Sequence, residues 1–270
     1  MSPNCTSEKN INFWNELCGS AAAKMLGITD ASLEALKKYD EWYFDYYPYL
    51  FSHIPFDSLR GKEVLEVGLG YGTVSQRLAE RGASYTGLDI APAPVSMVNH
   101  RLTQNNLSGR AVQGDILKPP FLEESFDTII AIGCLHHTGN LKLAVDQCWK
   151  LLRPGGFLIF MVYYAYSYRR FRIAFSKSLW NLAKELLGYR GVVGRSDKQE
   201  CVLYDGEGTP HTDWISVRSL RHLCGKFSHF SAKIENMAQE PPFSRTPRQE
   251  LLTTRWPPRI GLDLYATAKK

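Results

Sequence analysis

The sequence predicts an α/β fold in which a doubly wound, mostly parallel sheet of seven strands carries helices on both faces. Short apolar runs alternate with helical stretches from Glu63 onward, which is typical of parallel strands joined by crossover helices. A glycine-rich turn joins the first run to a helical stretch, and 270 residues are enough for one large domain with a lid. The predicted strands are 63–68, 85–90, 111–116, 128–133, 157–163, 230–237 and 262–269, and the predicted helices between and after them are 73–81, 94–104, 141–152 and 217–226.

Two segments fall outside this alternation. Residues 1–59 are rich in aromatic side chains and predict an N-terminal helical cap on a domain that spans residues 60–270. Residues 164–216 form an insertion after strand five, which we interpret as a lid. One predicted helix of this insertion carries basic residues beside an apolar stripe, a pattern of either a lid helix packed on its own domain or a helix at a membrane surface. We favour the lid. The stripe consists of Phe171, Phe175, Leu179, Leu182 and Leu186.

Composition excludes several classes of protein. Apolar residues make up 44% and charged residues 22% of the chain, which is not the composition of a disordered, collagen-like or coiled-coil protein. No apolar run approaches the ~20 residues that span a bilayer, the N-terminus does not resemble a secretion signal, and six cysteines without a C-x-x-C pair disfavour a structural zinc site. We therefore expect a cytoplasmic protein without a metal.

Charge is distributed unevenly along the chain. Residues 1–162 carry 14 Lys and Arg against 17 Asp and Glu, whereas residues 163–270 carry 18 against 10. The excess of +8 in the second part is compatible with an anionic partner or with a solvated basic surface. No run of basic residues is dense enough to indicate nucleic acid.

The turn after the first predicted strand is the most informative stretch. Gly68, Gly70 and Gly72 alternate with other residues, so that the backbone can approach a ligand closely at the end of a buried strand. A dinucleotide-binding turn has the spacing G-x-G-x-x-G, whereas this one has G-x-G-x-G and is preceded by Glu66. An acidic residue beside the turn favours a cationic ligand over a diphosphate.

A second acidic residue ends the second predicted strand. Asp89 lies seventeen residues beyond Gly72, and a carboxylate at this place can accept both hydroxyls of a ribose. Together with Glu66, it indicates a nucleoside that carries a cationic group.

These motifs resemble the class I S-adenosylmethionine-dependent methyltransferases, of the type that acts on small molecules. The matching stretches are E-V-G-L-G-Y-G at 66–72, D-I at 89–90, G-D-I at 114–116, S-F-D at 125–127, G-C-L-H-H at 133–137 and L-L-R-P-G-G at 151–156. The resemblance implies S-adenosylmethionine as cofactor, S-adenosylhomocysteine as product, and a last strand that runs antiparallel between strands five and six.

The resemblance also implies roles for individual residues. The three glycines of the turn would hold the methionine part of the cofactor, with Glu66 near its ammonium group and the Gly133 carbonyl near the same amine. Asp89 would bind the ribose hydroxyls, and apolar and acidic residues of the next two strand ends would contact the adenine. The predicted cofactor-binding residues are Glu66, Gly68, Gly70, Gly72, Thr73, Asp89, Ile90, Asp115, Ile116 and Gly133.

Two histidines are candidates for the catalytic base. His136 and His137 follow the fourth predicted strand, on the ligand side of the sheet, and histidine titrates near neutral pH. Either one can instead cap the following helix or hold a loop, and the sequence does not choose between them.

The acceptor pocket is predicted from aromatic residues around the same edge of the sheet. Aromatic faces attract cations and enclose apolar molecules. The polar, turn-rich loop 205–211 contributes one further candidate. The predicted pocket residues are Trp14, Tyr43, Tyr46, Tyr163, Tyr164 and His211.

The sequence therefore favours methyl transfer to the oxygen or nitrogen of a small molecule held under an aromatic cap. Methylation of tRNA or another RNA is the main alternative, although no separate RNA-binding domain is recognisable. A lipid acceptor at a membrane surface is another, and a scaffold without turnover is disfavoured by the complete set of motifs. The oligomeric state cannot be predicted.

Overall fold

A computed structural model describes residues 3–17, 20–196, 202–204 and 207–270 of the chain. It confirms the predicted α/β class and the seven predicted strands of a mostly parallel sheet. The sheet is larger than predicted, because two strands of the insertion extend it to nine. Its strands are β1 (Glu63–Val67), β2 (Ser84–Asp89), β3 (Arg110–Gln113), β4 (Phe126–Ile132), β5 (Leu152–Tyr164), β6 (Gly194–Ser196), β9 (Thr212–Ile215), β10 (His229–Glu235) and β11 (Asp263–Lys269), while β7 (Val202–Tyr204) and β8 (Glu207–Gly208) form a separate pair.

Helices cover both faces and one edge of this sheet. The predicted helices after strands one, two and four are present with bounds shifted by at most two residues. The helices are α1 (Pro3–Leu17), α2 (Ser20–Met25), α3 (Leu33–Tyr46), α4 (Leu50–His53), α5 (Thr73–Glu80), α6 (Pro92–Gln104), α7 (Leu141–Leu151), α8 (Tyr168–Ile173), α9 (Phe175–Leu186), α10 (Val217–Leu223), α11 (Arg248–Thr253) and α12 (Pro257–Ile260).

The core has two layers because the central strands are buried on both faces. Alternate residues of a strand point to opposite sides of a sheet. Leu65 and Ile129 accordingly pack in the cluster on one face, while Val64 and Ile130 pack in the cluster on the other. The near-continuous apolar runs of the sequence follow from this burial on two sides.

The strand order is β3-β2-β1-β4-β5-β11-β10. Strands β1 to β5 are parallel to one another, and β11 runs antiparallel between β5 and β10, as expected. The order reverses between β1 and β4, which is where open sheets of this kind bind ligands at the carboxyl ends of their strands.

The insertion after β5 departs from its interpretation as a lid helix packed on the domain. Strand β9 pairs in parallel with the end of β5 and antiparallel with β6, so part of the insertion belongs to the sheet. The apolar stripe of α9 does not pack inward either: Phe175 and Leu186 are 62% and 69% exposed, while the polar Ser178 and Glu185 of the same helix are buried. No helix in the described ranges has the length and hydropathy needed to cross a membrane.

Much of the basic charge of the second part of the chain is engaged within the protein. Glu240 forms ion pairs with both Arg169 and Arg172. Arg170 is buried with its guanidinium 5.2 Å from the Trp214 ring, and Arg248 lies 3.7 Å above the Tyr46 ring. These contacts account for several of the basic residues without an external anion.

Candidate active site

A cavity of about 240 Å³ lies at the carboxyl edge of strands β1 to β4. This volume far exceeds the roughly 10–15 Å³ that a single water needs on the same measure, and helices α1 and α3 cover the cavity from the N-terminal side. Twelve of the predicted site residues line its wall. They are Trp14, Tyr43, Glu66, Gly68, Gly70, Thr73, Asp89, Ile90, Asp115, Ile116, Gly133 and His137.

The glycine-rich turn gives this cavity its floor. Gly68 and Gly70 have φ angles of +77° and +52°, in the region that favours glycine. A Cβ atom on Gly68 would come within 2.4 Å of the Cys134 Cβ, whereas a Cβ on Gly70 would meet no atom within 4 Å. The turn is therefore tightly packed at its first glycine and open toward the cavity at its second.

Glu66 is held in a polar pocket at the end of β1. Its Oε2 accepts hydrogen bonds from the Ser75 hydroxyl at 2.5 Å and the Tyr85 hydroxyl at 2.8 Å. Burial raises the pKa of Glu66 to about 7, although both hydrogen bonds act in the opposite direction. The carboxyl group thus changes its charge near neutral pH.

Asp89 is hydrogen-bonded to the glycine-rich turn and to the turn that follows β2, and both turns border the cavity. Its Oδ2 accepts from the Leu69 backbone amide at 2.8 Å and its Oδ1 from the Ala91 amide at 2.9 Å. Burial raises the pKa of Asp89 above its usual range, against these bonds. Each carboxylate oxygen has a second lone pair for a ligand hydroxyl.

The third carboxylate of the wall is contacted by the N-terminal helix. The Oδ1 of Asp115 accepts from the Leu117 amide at 2.8 Å, and its Oδ2 accepts from the Ser7 hydroxyl at 3.1 Å. Helix α1 also donates the Asn10 side-chain amide to the His137 carbonyl at 2.8 Å. Helix α1 is therefore bonded to the wall of the cavity at two places.

The two neighbouring histidines have different surroundings. The Nδ1 of His137 lies 2.7 Å from the His211 carbonyl, which can only accept, so Nδ1 carries the proton. Its Nε2 makes no hydrogen bond with any described residue and can therefore act as an acceptor. Burial lowers the pKa of His137 to about 4, so its imidazole is neutral at pH 7.

His136 does not line the cavity, contrary to its prediction as an alternative base. It is fully buried between the rings of His137 and Tyr163, at centroid distances of 4.0 and 4.3 Å. Within the described residues neither of its ring nitrogens has a hydrogen-bond partner.

Five further predicted residues also lie outside the cavity wall. Tyr163 packs against Trp214, Tyr164 packs against Tyr166, and Tyr46 lies beneath Arg248. His211 supports His137 through its carbonyl, and its own ring bonds to Asp213 Oδ1 at 2.9 Å. A Cβ on Gly72 would come within 2.9 Å of the Arg101 Cδ, so Gly72 makes room for a side chain rather than for the cavity. Residues 205–206 of the predicted loop lie outside the described residues.

Residues 65–160 match the family described as "Methyltransferase domain". A solved S-adenosylmethionine-dependent methyltransferase from Mesorhizobium loti has the same fold, with a TM-score of 0.57 and 17% identity over 87% of this chain and 100% of that one. Another from Methanosarcina mazei has a TM-score of 0.55 and 17% identity over 83% and 97%. This part of the chain therefore matches a methyltransferase domain family, and the chain has the fold of the class I methyltransferases.

Curated relatives of the methyltransferase domain share its sequence over a limited span. A demethylmenaquinone methyltransferase of Tropheryma whipplei is 35% identical over 100 residues, which are 37% of this chain and 41% of the relative. A ubiquinone biosynthesis O-methyltransferase of Pseudomonas fluorescens is 32% identical over 105 residues, 38% of this chain and 45% of the relative. The matches thus span less than half of the length of either relative.

The methyltransferase domain has residues that fit S-adenosylmethionine, its methyl donor. Open space above Gly70 and the carboxylates of Glu66 and Asp89 suit a nucleoside with a cationic amino-acid group. Ile90 and Ile116 provide apolar surface in the same wall. When bound, the donor supplies an electrophilic methyl group on a sulfonium.

Two residues of this site carry no signal in the sequence. Ser7 and Asn10 reach the cavity from α1 across more than a hundred residues of chain. Tyr39, Tyr71 and Cys134 also line the cavity, and the sequence does point to them, because Tyr39 belongs to the aromatic-rich N-terminal segment and the other two lie within the matching motifs. The contacts of α1 depend on tertiary packing alone.

Proposed function

We propose that the protein transfers a methyl group from S-adenosylmethionine to a hydroxyl group of a small, mainly apolar aromatic acceptor. The observation that carries the proposal is the position of His137. Its ring lines the same cavity as Glu66 and Asp89, its Nδ1 is fixed by the His211 carbonyl, and its Nε2 remains as an acceptor.

The aromatic residues around His137 support an apolar acceptor. The Trp14 ring lies 5.1 Å from the His137 ring, and Tyr39 and Tyr71, with ring centroids 4.3 Å apart, form another part of the wall. The named quinone-pathway relatives are consistent with a ring-bearing acceptor, and one of them is named as an O-methyltransferase. Their similarity is confined to about 100 residues of each chain, so the acceptor class is our inference.

In this mechanism the chain aligns the two substrates and removes one proton. His137 accepts the proton of the acceptor hydroxyl at Nε2, and the Nδ1 bond to the His211 carbonyl stabilises the resulting imidazolium. The acceptor oxygen forms a bond to the methyl carbon as the bond from carbon to sulfur breaks. Alignment of reacting groups can contribute ~7–11 kcal/mol in favourable cases, and helix α1 limits the access of water to them.

Two variants of neighbouring residues test the role of His137. His137→Asn retains a donor toward the His211 carbonyl but removes Nε2, and we expect kcat to fall by about 10²–10⁴-fold with the donor Kd unchanged. His136→Phe is the matched control, because it preserves a buried ring and removes nitrogens that lack partners. We expect unchanged kcat and unchanged or higher stability. Equal turnover in both variants would contradict the assignment.

The acceptor class is tested with radiolabelled S-adenosylmethionine and fractionated cell extract. Label in the low-molecular-weight or lipid fraction supports the proposal, and mass spectrometry then identifies the compound and the methylated atom. The blank is Asp89→Ala, which removes a carboxylate of the donor site. Label in RNA that disappears with ribonuclease would overturn the proposal in favour of RNA methylation.

A further inference from the structure

Helix α9 exposes apolar side chains and buries polar ones, which is the reverse of the usual arrangement for a helix on a globular domain. Phe175, Leu179, Trp180 and Leu186 are 62%, 46%, 64% and 69% exposed. Its buried side chains are Ser178 and Glu185, which are polar. At about 100° per residue, Phe175, Leu179 and Leu186 fall within about 40° of one another and Trp180 lies about 100° further round, so this arc makes the outward side of the helix mainly apolar, whereas the inward side is polar.

Polar contacts fix this orientation. The Oε2 of Glu185 accepts from the Tyr166 hydroxyl at 2.5 Å, and its Oε1 accepts from the Ser216 hydroxyl at 2.6 Å. The Arg190 guanidinium donates to the Glu185 carbonyl at 2.7 Å. Because these bonds hold the polar side against the domain, the apolar arc faces outward as a property of the fold.

Basic residues border the apolar arc. Lys177 and Lys184 lie about two turns apart at one margin of the arc, and the Lys184 Nζ lies 5.4 Å from the centre of the Trp180 ring. Residues 169–190 have a formal charge of +5. Arg169 and Arg172 pair with Glu240 and Arg170 is buried, so the lysines of α9 carry the charge that borders the arc.

We propose that α9 docks the protein on the surface of an anionic lipid bilayer. Exposed Trp, Phe and Leu with flanking lysines are the combination that lies in the headgroup region, and twelve residues, about 18 Å of helix, are too short to span a bilayer. Antiparallel pairing of two copies through the same face would bring their lysines together, which disfavours that homodimer.

The hydrogen bonds of Glu185 place α9 at the same edge of the sheet as the cavity. Tyr166 and Ser216 follow the carboxyl ends of β5 and β9, so α9 lies at the edge of the sheet that carries the site. An apolar acceptor dissolved in the bilayer would reach the cavity from this edge. The docking itself goes beyond the proposed methyl transfer and does not depend on it.

The test measures binding of the full chain to vesicles of phosphatidylcholine alone or with 30% phosphatidylglycerol by flotation. We expect binding to the anionic vesicles that weakens at high salt. Leu179→Glu and Leu186→Glu should each reduce this binding by about tenfold or more. Leu122→Glu is the matched control, since Leu122 is 83% exposed elsewhere on the protein and the change in side chain and charge is the same. Its binding should equal that of the wild type.

A second readout locates the helix in the bilayer. Brominated lipids should quench Trp180 fluorescence in bound protein, and the quenched component should be absent from Trp180→Phe. The proposal is overturned if wild-type protein binds no vesicle, if Leu122→Glu loses as much binding as the α9 variants, or if sedimentation velocity shows a dimer that Leu186→Glu dissociates. The donor Kd, measured for every variant without lipid, should be unchanged, so loss of docking is distinguishable from failure of the methyl-transfer proposal.

Discussion

At the scale of single residues, Glu66 carries the clearest pH-dependent chemistry of the site. Its pKa of about 7 results mainly from burial, against hydrogen bonds from Ser75 and Tyr85. The folded protein binds this proton more tightly than the unfolded chain does, so Glu66 favours folding at low pH, and this contribution is lost as the pH rises from about 4.5 to 7.

The same group predicts how donor binding changes with pH. An ammonium group near Glu66 is bound better by the carboxylate than by the acid, so we expect the affinity for S-adenosylhomocysteine to rise roughly tenfold between pH 6 and 8. Isothermal titration calorimetry measures it directly. Glu66→Gln should bind more weakly at pH 8 and show no such rise. A rise of equal size in this variant would place the titrating group elsewhere.

His137 and His136 show what sequence can predict at this scale. Both histidines follow the same strand, and the sequence does not distinguish between them as candidate bases. Their difference arises from contacts with residues more than seventy positions away along the chain, where the His211 carbonyl binds one ring, and from tertiary packing that buries the other. No local pattern encodes which ring reaches the cavity.

At the scale of elements, one buried ion pair attaches α3 to α6. Arg101 of α6 is completely buried, and its two terminal nitrogens donate to the Asp40 carboxylate of α3 at 2.9 and 3.0 Å. Asp40 also accepts from the hydroxyl of Thr73, the first residue of α5, at 2.6 Å. Three helices around the glycine-rich turn therefore share one charged contact.

Loss of this ion pair should destabilise the protein strongly. Arg101→Met leaves the Asp40 carboxylate without its counter-ion, and we expect the free energy of unfolding to fall by about 3 kcal/mol in urea denaturation. Arg81→Met serves as control because the ion pair of Arg81 with Asp57 is exposed, and its loss should cost less than about 1 kcal/mol. Similar losses of unfolding free energy in the two variants would show that burial does not increase the contribution of the Arg101 ion pair to stability.

Elements that local sequence patterns determine could be predicted, whereas features that depend on distant contacts could not. The seven strands, the turn and the antiparallel last strand could be predicted, because apolar runs and glycine spacing are local and the motifs match a known family. The apolar stripe of α9 was recognised, but its interpretation as a face packed on the domain was wrong. Periodicity shows that one side of a helix is apolar, whereas Tyr166 and Ser216, which turn that side outward, are distant along the chain.

At the scale of the whole molecule, the carboxyl edge of the sheet carries two elements with different attachments. Helix α9 is bonded to the ends of β5 and β9, while α1 crosses the cavity and contacts the opposite part of the edge, at Asp115 and Ala93. None of the described α1 side chains belongs to the apolar clusters of the core. The described side chains of α1 therefore cover the site from outside these clusters.

This arrangement predicts that α1 can be removed without unfolding the protein. Deletion of residues 1–17 should change the free energy of unfolding by no more than about 1 kcal/mol, since it removes little buried apolar surface. It also removes Ser7, Asn10 and Trp14 from the cavity wall, so we expect the donor to dissociate about tenfold faster or more in stopped-flow measurements. Lys9→Ala alters an exposed position of the same helix and should change neither quantity. Only a covering element can retain the ligand without contributing to the stability of the fold. Unchanged donor release after the deletion would therefore show that α1 does not close the site. A large loss of stability would show that α1 is part of the core.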